Sequence, residues 1–323
     1  MITTFEVKQE YELNCPPVLF VIFNRPDLTY RVFERIKKAR PNQLFIAADG
    51  WRSDKPGEEQ LCKKARSIVD KVDWSCELYT LFQEENLGCK FGPLAAINWF
   101  FKHVEEGIVL EDDCLPDLTF FKYCEELLSY YQNNLKILTI SGFNYGYITD
   151  CHISYSFSQF MNPVGWATWR RSALIIDYNL KEWSKINKNW FLYSRLRSSM
   201  VDFDWKWVKN WRSTYDDLTE KNVDAWDYYW IYAGLKNRKY SVVPHRNLIK
   251  NIGFNESATH TRDPEHPISK VGTSSIELPL THPDSISRNV DYEEQYIKKL
   301  WHTYYRKNFL YQLWAFYDDV IKP

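Results

Sequence analysis

Short apolar runs and helical repeats alternate along the first 140 residues. Residues 18–23 (VLFVIF) are β-branched and aromatic without a polar break, the pattern of a strand buried on both faces. Asn24-Arg25-Pro26-Asp27 interrupts it, and Leu28, Val32, Phe33 and Ile36 then recur at the helical period until Pro41. Residues 43–48 (QLFIAA) predict a second strand, closed by Asp49-Gly50, and a charged helix over about 57–71 follows. A third strand spans 77–82 (ELYTLF). The loop Asn86-Leu87-Gly88 leads from it into a helix carrying Leu94, Ile97, Trp99 and Phe101. Residues 107–110 (GIVL) form a fourth strand that runs into Glu111-Asp112-Asp113. A helix over about 117–132 and a fifth strand over 136–141 complete the series.

This alternation predicts an α/β fold with a largely parallel sheet and helices on both faces. Ligands of such sheets bind outside the carboxyl ends of the strands. Three polar clusters fall at those ends: Asn24-Arg25, Asp49-Gly50 and Glu111-Asp112-Asp113. The second half is less regular. Residues 155–170 are strand-like with a turn at 162–165, residues 181–236 are helical and rich in Trp, residues 240–243 are a short strand, and 248–290 are loop. No linker separates the halves, so 17–145 and 146–290 are expected to be subdomains of one domain over 1–290. An amphipathic helical tail, 291–323, follows.

Composition narrows the partners. A net charge of -1 supplies no global positive field for nucleic acid, which is excluded as a partner. No window is apolar for long enough to cross a membrane, residues 1–14 lack the pattern of a secretory signal, and the seven Cys lack CxxC pairing. Together these predict a cytoplasmic protein with reduced thiols. Aromatics make up 17% of the chain, which suits sugar-stacking platforms as well as ordinary cores.

Three acidic residues in a row at the end of a buried strand repel one another and need a cation, hydrogen bonds or water. Hard divalent cations such as Mn²⁺ or Mg²⁺ prefer carboxylate oxygen, and a nucleotide diphosphate needs a cation as it becomes a leaving group. A solvated loop capping the next helix with Asp112 or Asp113 is the plainer account of an isolated triplet. Here the two other strand-end clusters favour a ligand site.

At these residues a resemblance enters. Residues 107–128 (GIVLEDDCLPDLTFFKYCEELL) resemble a segment of inverting GT-A glycosyltransferases related to N-acetylglucosaminyltransferase I of N-glycan processing, and of bacterial GT-A proteins of surface-glycan clusters. Residues 17–36, the Asp49-Gly50 turn, PVGWATWRR at 163–171, AWDYYW at 225–230 and NIGFNESATHT at 251–261 are similar to that family's other blocks, in the same order. The resemblance implies a GT-A (Rossmann-like) fold with a nucleotide-binding half, 17–145, and an acceptor-binding half, 146–290. It also implies a metal-dependent, inverting transfer from a nucleotide-sugar donor, UDP-linked and with N-acetylglucosamine as the first choice of sugar, to a saccharide or lipid-linked glycan acceptor in bacterial glycan biosynthesis. Asp113 would ligate the metal, Asp112 the donor ribose or sugar, and Glu111 the donor sugar or a metal-bound water. Arg25 would lie near the base or diphosphate, and Asp49 would accept from the base. Asp227 would be the general base, with Asp224 one helical turn away as its rival; the family has a second Asp where this chain has Tyr228. His260 would return to the metal or diphosphate. Gly165, Trp166 and Trp169 would shape the sugar pocket.

The tail sets Tyr296, Leu300, Trp301 and Tyr304 against Lys298, Lys299, Arg306 and Lys307. Such a helix packs on its own domain or a second copy, or lies at the inner face of a membrane. Two other functions compete with transfer. A sugar nucleotidyltransferase would carry a Gly-rich loop after the first strand, where this chain has Asn24-Arg25-Pro26-Asp27. A degenerate module that binds glycans or sugar nucleotides would release no nucleotide.

Overall fold

The computed structural model describes residues 15–150, 152–189, 205–220, 224–254 and 266–305. Its main sheet has eight strands in the order β3-β2-β1-β4-β8-β6-β9-β7. The first half supplies β1 (Val18–Ile22), β2 (Gln43–Ala48), β3 (Glu77–Phe82) and β4 (Glu106–Glu111), all mutually parallel. β1 and β2 are buried almost throughout, as strands covered on both faces must be. β3 lies at the sheet edge, carries Glu77 and is half exposed, which discourages edge-to-edge pairing.

Helices α1 (Pro26–Ala39), α2 (Glu58–Arg66) and α3 (Gly88–His103) connect these strands. α1 starts on Pro26, whose fixed φ suits a first helical position, and buries Val32, Phe33, Ile36 and Ala39 along one face. The charged segment expected as one helix over 57–71 is α2 followed by a 3-10 turn, Ser67–Lys71. Successive crossovers lay β2 and β3 on one side of β1, and α3 carries the chain back to β4 on the other. The strand order therefore reverses between β1 and β4. Ligands of open α/β sheets bind in the crevice at such a reversal.

Beyond β4 the sheet is mixed. β5 (Cys114–Pro116) leaves the main sheet and pairs antiparallel with β10 (Ile249–Asn251), a small ladder inside a stretch expected to be loop. After α4 (Thr119–Tyr131), β6 (Ile137–Ser141) returns to the main sheet. The single strand-like region expected over 155–170 is two strands that are not neighbours. β7 (Tyr155–Ser158) forms the far edge, while β8 (Trp166–Trp169) is wedged antiparallel between β4 and β6. β9 (Tyr240–Pro244) fills the gap between β6 and β7. The fold is thus a Rossmann-like α/β fold, a mostly parallel mixed sheet flanked by helices, as expected.

Gly165 permits the entry of β8. Its φ is +63°, and a Cβ there would lie 2.7 Å from Cδ1 and Cγ1 of Ile249 on β10. Gly165→Ala is therefore expected to cost about 2 kcal/mol, read as a lower urea midpoint with an unchanged slope.

The helical region of the second half contains α5 (Arg170–Ala173), α6 (Trp183–Lys188), α7 (Trp205–Glu220) and α8 (Asp227–Lys236). Trp211 on α7 is buried and stacks on Phe160, so it belongs to the core. The tail helix, α9 (Val290–Tyr305), begins one residue before the expected boundary, and its first turns pack on the domain. Tyr292, Glu293 and Tyr296 are buried there, and Lys299 donates to the carbonyls of Tyr145 (2.6 Å) and Gly146 (3.1 Å). Residues 306–323 lie outside the described residues. No helix among those described is long and apolar enough to cross a membrane.

Candidate active site

A cleft of about 460 Å³ opens over the carboxyl ends of β2, β1 and β4. Its floor carries Asn24, Arg25 and the acidic triplet, one wall is the start of α3, and the opposite wall is residues 224–227 with Pro163 and Val164. Arg25, Asp49, Glu111, Asp112, Asp113 and Asp227 all line this cleft, although they come from points about 200 residues apart in the chain.

Arg25 sits in the turn between β1 and α1. Its carbonyl accepts from the amide and hydroxyl of Thr29, which fixes the turn, and its guanidinium points across the strand reversal. There Nη2 pairs with Asp112 Oδ1, and Nη1 with Asp113 Oδ2 at 3.2 Å. Asp112 is 2% exposed; burial raises its pKa and Arg25 opposes the rise. Asp113 lies against Gly253, where a Cβ would come within 2.4 Å of Asp113 Oδ2. The carbonyl of Asp113 is held by the Ile252 amide at 2.8 Å, a contact that continues the β5–β10 ladder.

Glu111 accepts from the indole N–H of Trp226 at 3.2 Å. Burial, then the charges of Asp113 and Asp112, push its pKa up to about 8; Arg25 lowers it and Asp227 adds to the rise.

Several expectations are corrected. Asp49 lines the cleft with both carboxylate oxygens already engaged. Its Oδ1 accepts from the amides of Gly50 (3.0 Å) and Leu87 (2.8 Å), and its Oδ2 from the Gly88 amide (2.9 Å) and the Asn86 side chain (3.1 Å). It organises the loop that opens α3. Trp166 and Gly165 lie under the cleft and not on its wall. Trp166 is fully buried at the start of β8, stacked on Trp226 at 5.7 Å and edge-on to Trp230 at 4.7 Å. Trp169 is also core, its indole donating to the Leu128 carbonyl. His260 lies outside the described residues.

The two candidate bases differ in their surroundings. Asp224 reaches over to α3, where its oxygens accept the amides of Lys90 (2.6 Å) and Cys89 (3.1 Å). With Asp49 on Leu87 and Gly88, two carboxylates satisfy the four leading amides of that helix and its partial positive charge. Asp227 opens α8, is half-buried in the cleft, and is near enough to Glu111, Tyr145 and Tyr296 for its charge to act on each.

Sequence reasoning missed these clamps. It also missed Arg52, which lines the cleft and is braced by Glu58; Asn24 donates to the same carboxylate at 2.9 Å. Apart from the Arg52–Glu58 pair, these contacts join turns far apart in the chain, and no spacing rule signals them.

No protein-family profile matches the chain, and no curated protein does. Solved structures with a related layout include the mannosyltransferase PcManGT from Pyrobaculum calidifontis in complex with GDP-Man and Mn²⁺. It has a TM-score of 0.34 and 10% identity, over 69% of this chain and 87% of that one. HddC from Yersinia pseudotuberculosis has a TM-score of 0.29 and 10% identity, over 48% and 77%. At these values the likeness carries nothing about substrate.

Proposed function

We propose that this chain is a glycosyltransferase, moving a sugar from a nucleotide-diphosphate donor to an acceptor hydroxyl. The observation that supports it best is the meeting in one cleft of the Arg25-braced acidic triplet, at the strand reversal, and Asp227 on the facing wall. The nucleotide lies over β1 and β2, with its diphosphate toward Arg25 and Asp113. The acceptor enters from the side of α8. Asp227 takes the proton of the acceptor hydroxyl as that oxygen bonds to the anomeric carbon. The bond from that carbon to the diphosphate breaks, its electron pair leaving on the diphosphate, and a single displacement inverts the centre. UDP-N-acetylglucosamine is the first donor to try, from the sequence resemblance.

A divalent cation, when bound, would offset the charge on the departing diphosphate. Among the described residues no group of three or more His, Cys, Asp or Glu could hold one. That donor set does not fit a closed cage. Asp113 would be the residue to hold such a cation, the rest of its shell coming from outside the protein, as Mg²⁺ is commonly held beside substrate phosphates.

Thermal unfolding with a panel of nucleotide sugars, in Mn²⁺ and in EDTA, tests this reading. A donor at about 100 times its Kd adds about 2.7 kcal/mol and a visible melting shift. The same donor is expected to release nucleoside diphosphate when an acceptor hydroxyl is supplied. If the folded protein responds to no nucleotide sugar, with Mn²⁺ present, the transferase reading is lost.

A further inference from the structure

The acidic triplet already holds a positive charge of its own. The Arg25 guanidinium spans Asp112 and Asp113, and the side chain keeps 20% of its surface exposed to the cleft. It thus occupies the place at Asp113 where a divalent cation would sit. The Asp112 carboxyl is buried, and beside Arg25 the backbone amide of Phe23 also favours its charged form.

The rest of the cleft sharpens the point. Six carboxylates line it against two guanidiniums, and Arg52 is paired with Glu58. A bare diphosphate entering this field is repelled, so a cation has to accompany it. A bare cation, in turn, meets carboxylates that Arg25 already compensates and has to displace a guanidinium to reach Asp113.

We propose that Arg25 is a resident stand-in for the divalent cation, so that cation and nucleotide bind together and each binds poorly alone. Asp113 would hold such a cation, and the Arg25 guanidinium, freed from that carboxylate, would turn its donors to the phosphate oxygens. Its planar fork suits both partners. Only the side chain needs to move, because the turn is fixed by Thr29 and Pro26. The nucleotide half of this inference rests on the function proposed above; the competition between Arg25 and the cation does not.

The two halves are separable by experiment. Mn²⁺ binding to the full chain without nucleotide, followed by electron paramagnetic resonance, is expected to be weaker than about 1 mM. Arg25→Gln frees the carboxylates and is expected to bind Mn²⁺ at least about tenfold more tightly. Arg25→Lys, which cannot span both carboxylates, should fall between and serves if the Gln variant does not fold. Adding UDP or GDP should tighten Mn²⁺ binding to the wild type, measured against the Mn²⁺–nucleotide complex in buffer. Micromolar Mn²⁺ binding by the wild type alone, equal to that of the folded variants, would overturn the stand-in role. So would nucleotide binding that EDTA leaves unchanged. If Mn²⁺ behaves as expected but no nucleotide binds with or without it, the transferase reading fails and the competition at Asp113 stands.

Discussion

Asp227→Asn is expected to lower kcat by about 10² to 10⁴ while leaving donor affinity within a few-fold. The amide keeps the shape and the position at the start of α8, but it cannot accept the acceptor's proton. Arg25, Asp112 and Asp113, to which the proposed function gives the donor, are untouched by the change. Asp224→Asn is the matched comparison. That carboxylate caps α3 through Cys89 and Lys90, so its loss should cost about 1 kcal/mol of stability and little in kcat. Single-turnover rates and donor binding for both variants decide between the two carboxylates. If Asp224→Asn shows the larger loss in rate, at full donor affinity, the assignment of the base is reversed.

The part of this site that could be read in the sequence is the part built from strand ends. VLFVIF and QLFIAA declare buried parallel strands, and in a parallel sheet the residues that follow them must gather along one edge. The pattern of strands therefore gathers Arg25, Asp49 and the acidic triplet along that edge. What each carboxylate does there was not legible. A strand-end Asp that accepts four hydrogen bonds from a loop looks, in one dimension, like one that faces a ligand. Asp49 depends on Asn86, Leu87 and Gly88, some 40 residues on, and Asp224 on Cys89 and Lys90, some 135 residues back. The position of β8 was hidden for a related reason. WATW gives no sign that it will lie antiparallel beside β4, since the pairing Val109–Trp166 joins residues far apart with only sheet burial to align them. Gly-Trp-type motifs suggest sugar platforms, yet full burial makes Trp166 a support for Trp226 and, through it, for Glu111.

Glu293→Ala is expected to destabilise the protein by about 3–5 kcal/mol, because it breaks a buried ion pair from one side. Glu293 has no exposed surface. Its Oε1 accepts from Ser158 (3.0 Å) and from the Gln159 amide (2.6 Å), and its Oε2 accepts from Arg288 Nε (2.8 Å) and Nη2 (2.6 Å). Burial alone raises the Glu293 pKa, and these donors oppose the rise. Truncation removes the one buried carboxylate to which Ser158, the Gln159 amide and Arg288 all donate. Glu293→Gln keeps one oxygen for the Ser158 and Gln159 donors and should lose less. At about 2–4 °C per kcal/mol for a chain of this size, the Ala variant should melt roughly 10 °C lower. The consequence reaches the cleft, because Glu293 docks α9, and α9 carries Tyr296. That ring stacks on Phe160 at 5.2 Å and meets Tyr145 edge-on at 4.7 Å, beneath Asp227. Heating Glu293→Ala should therefore abolish transfer in the same transition that exposes the tyrosines, followed together by fluorescence and turnover. A variant that melts with the wild type would show that α9 is dispensable to the domain, and its first turns would then be a tail after all.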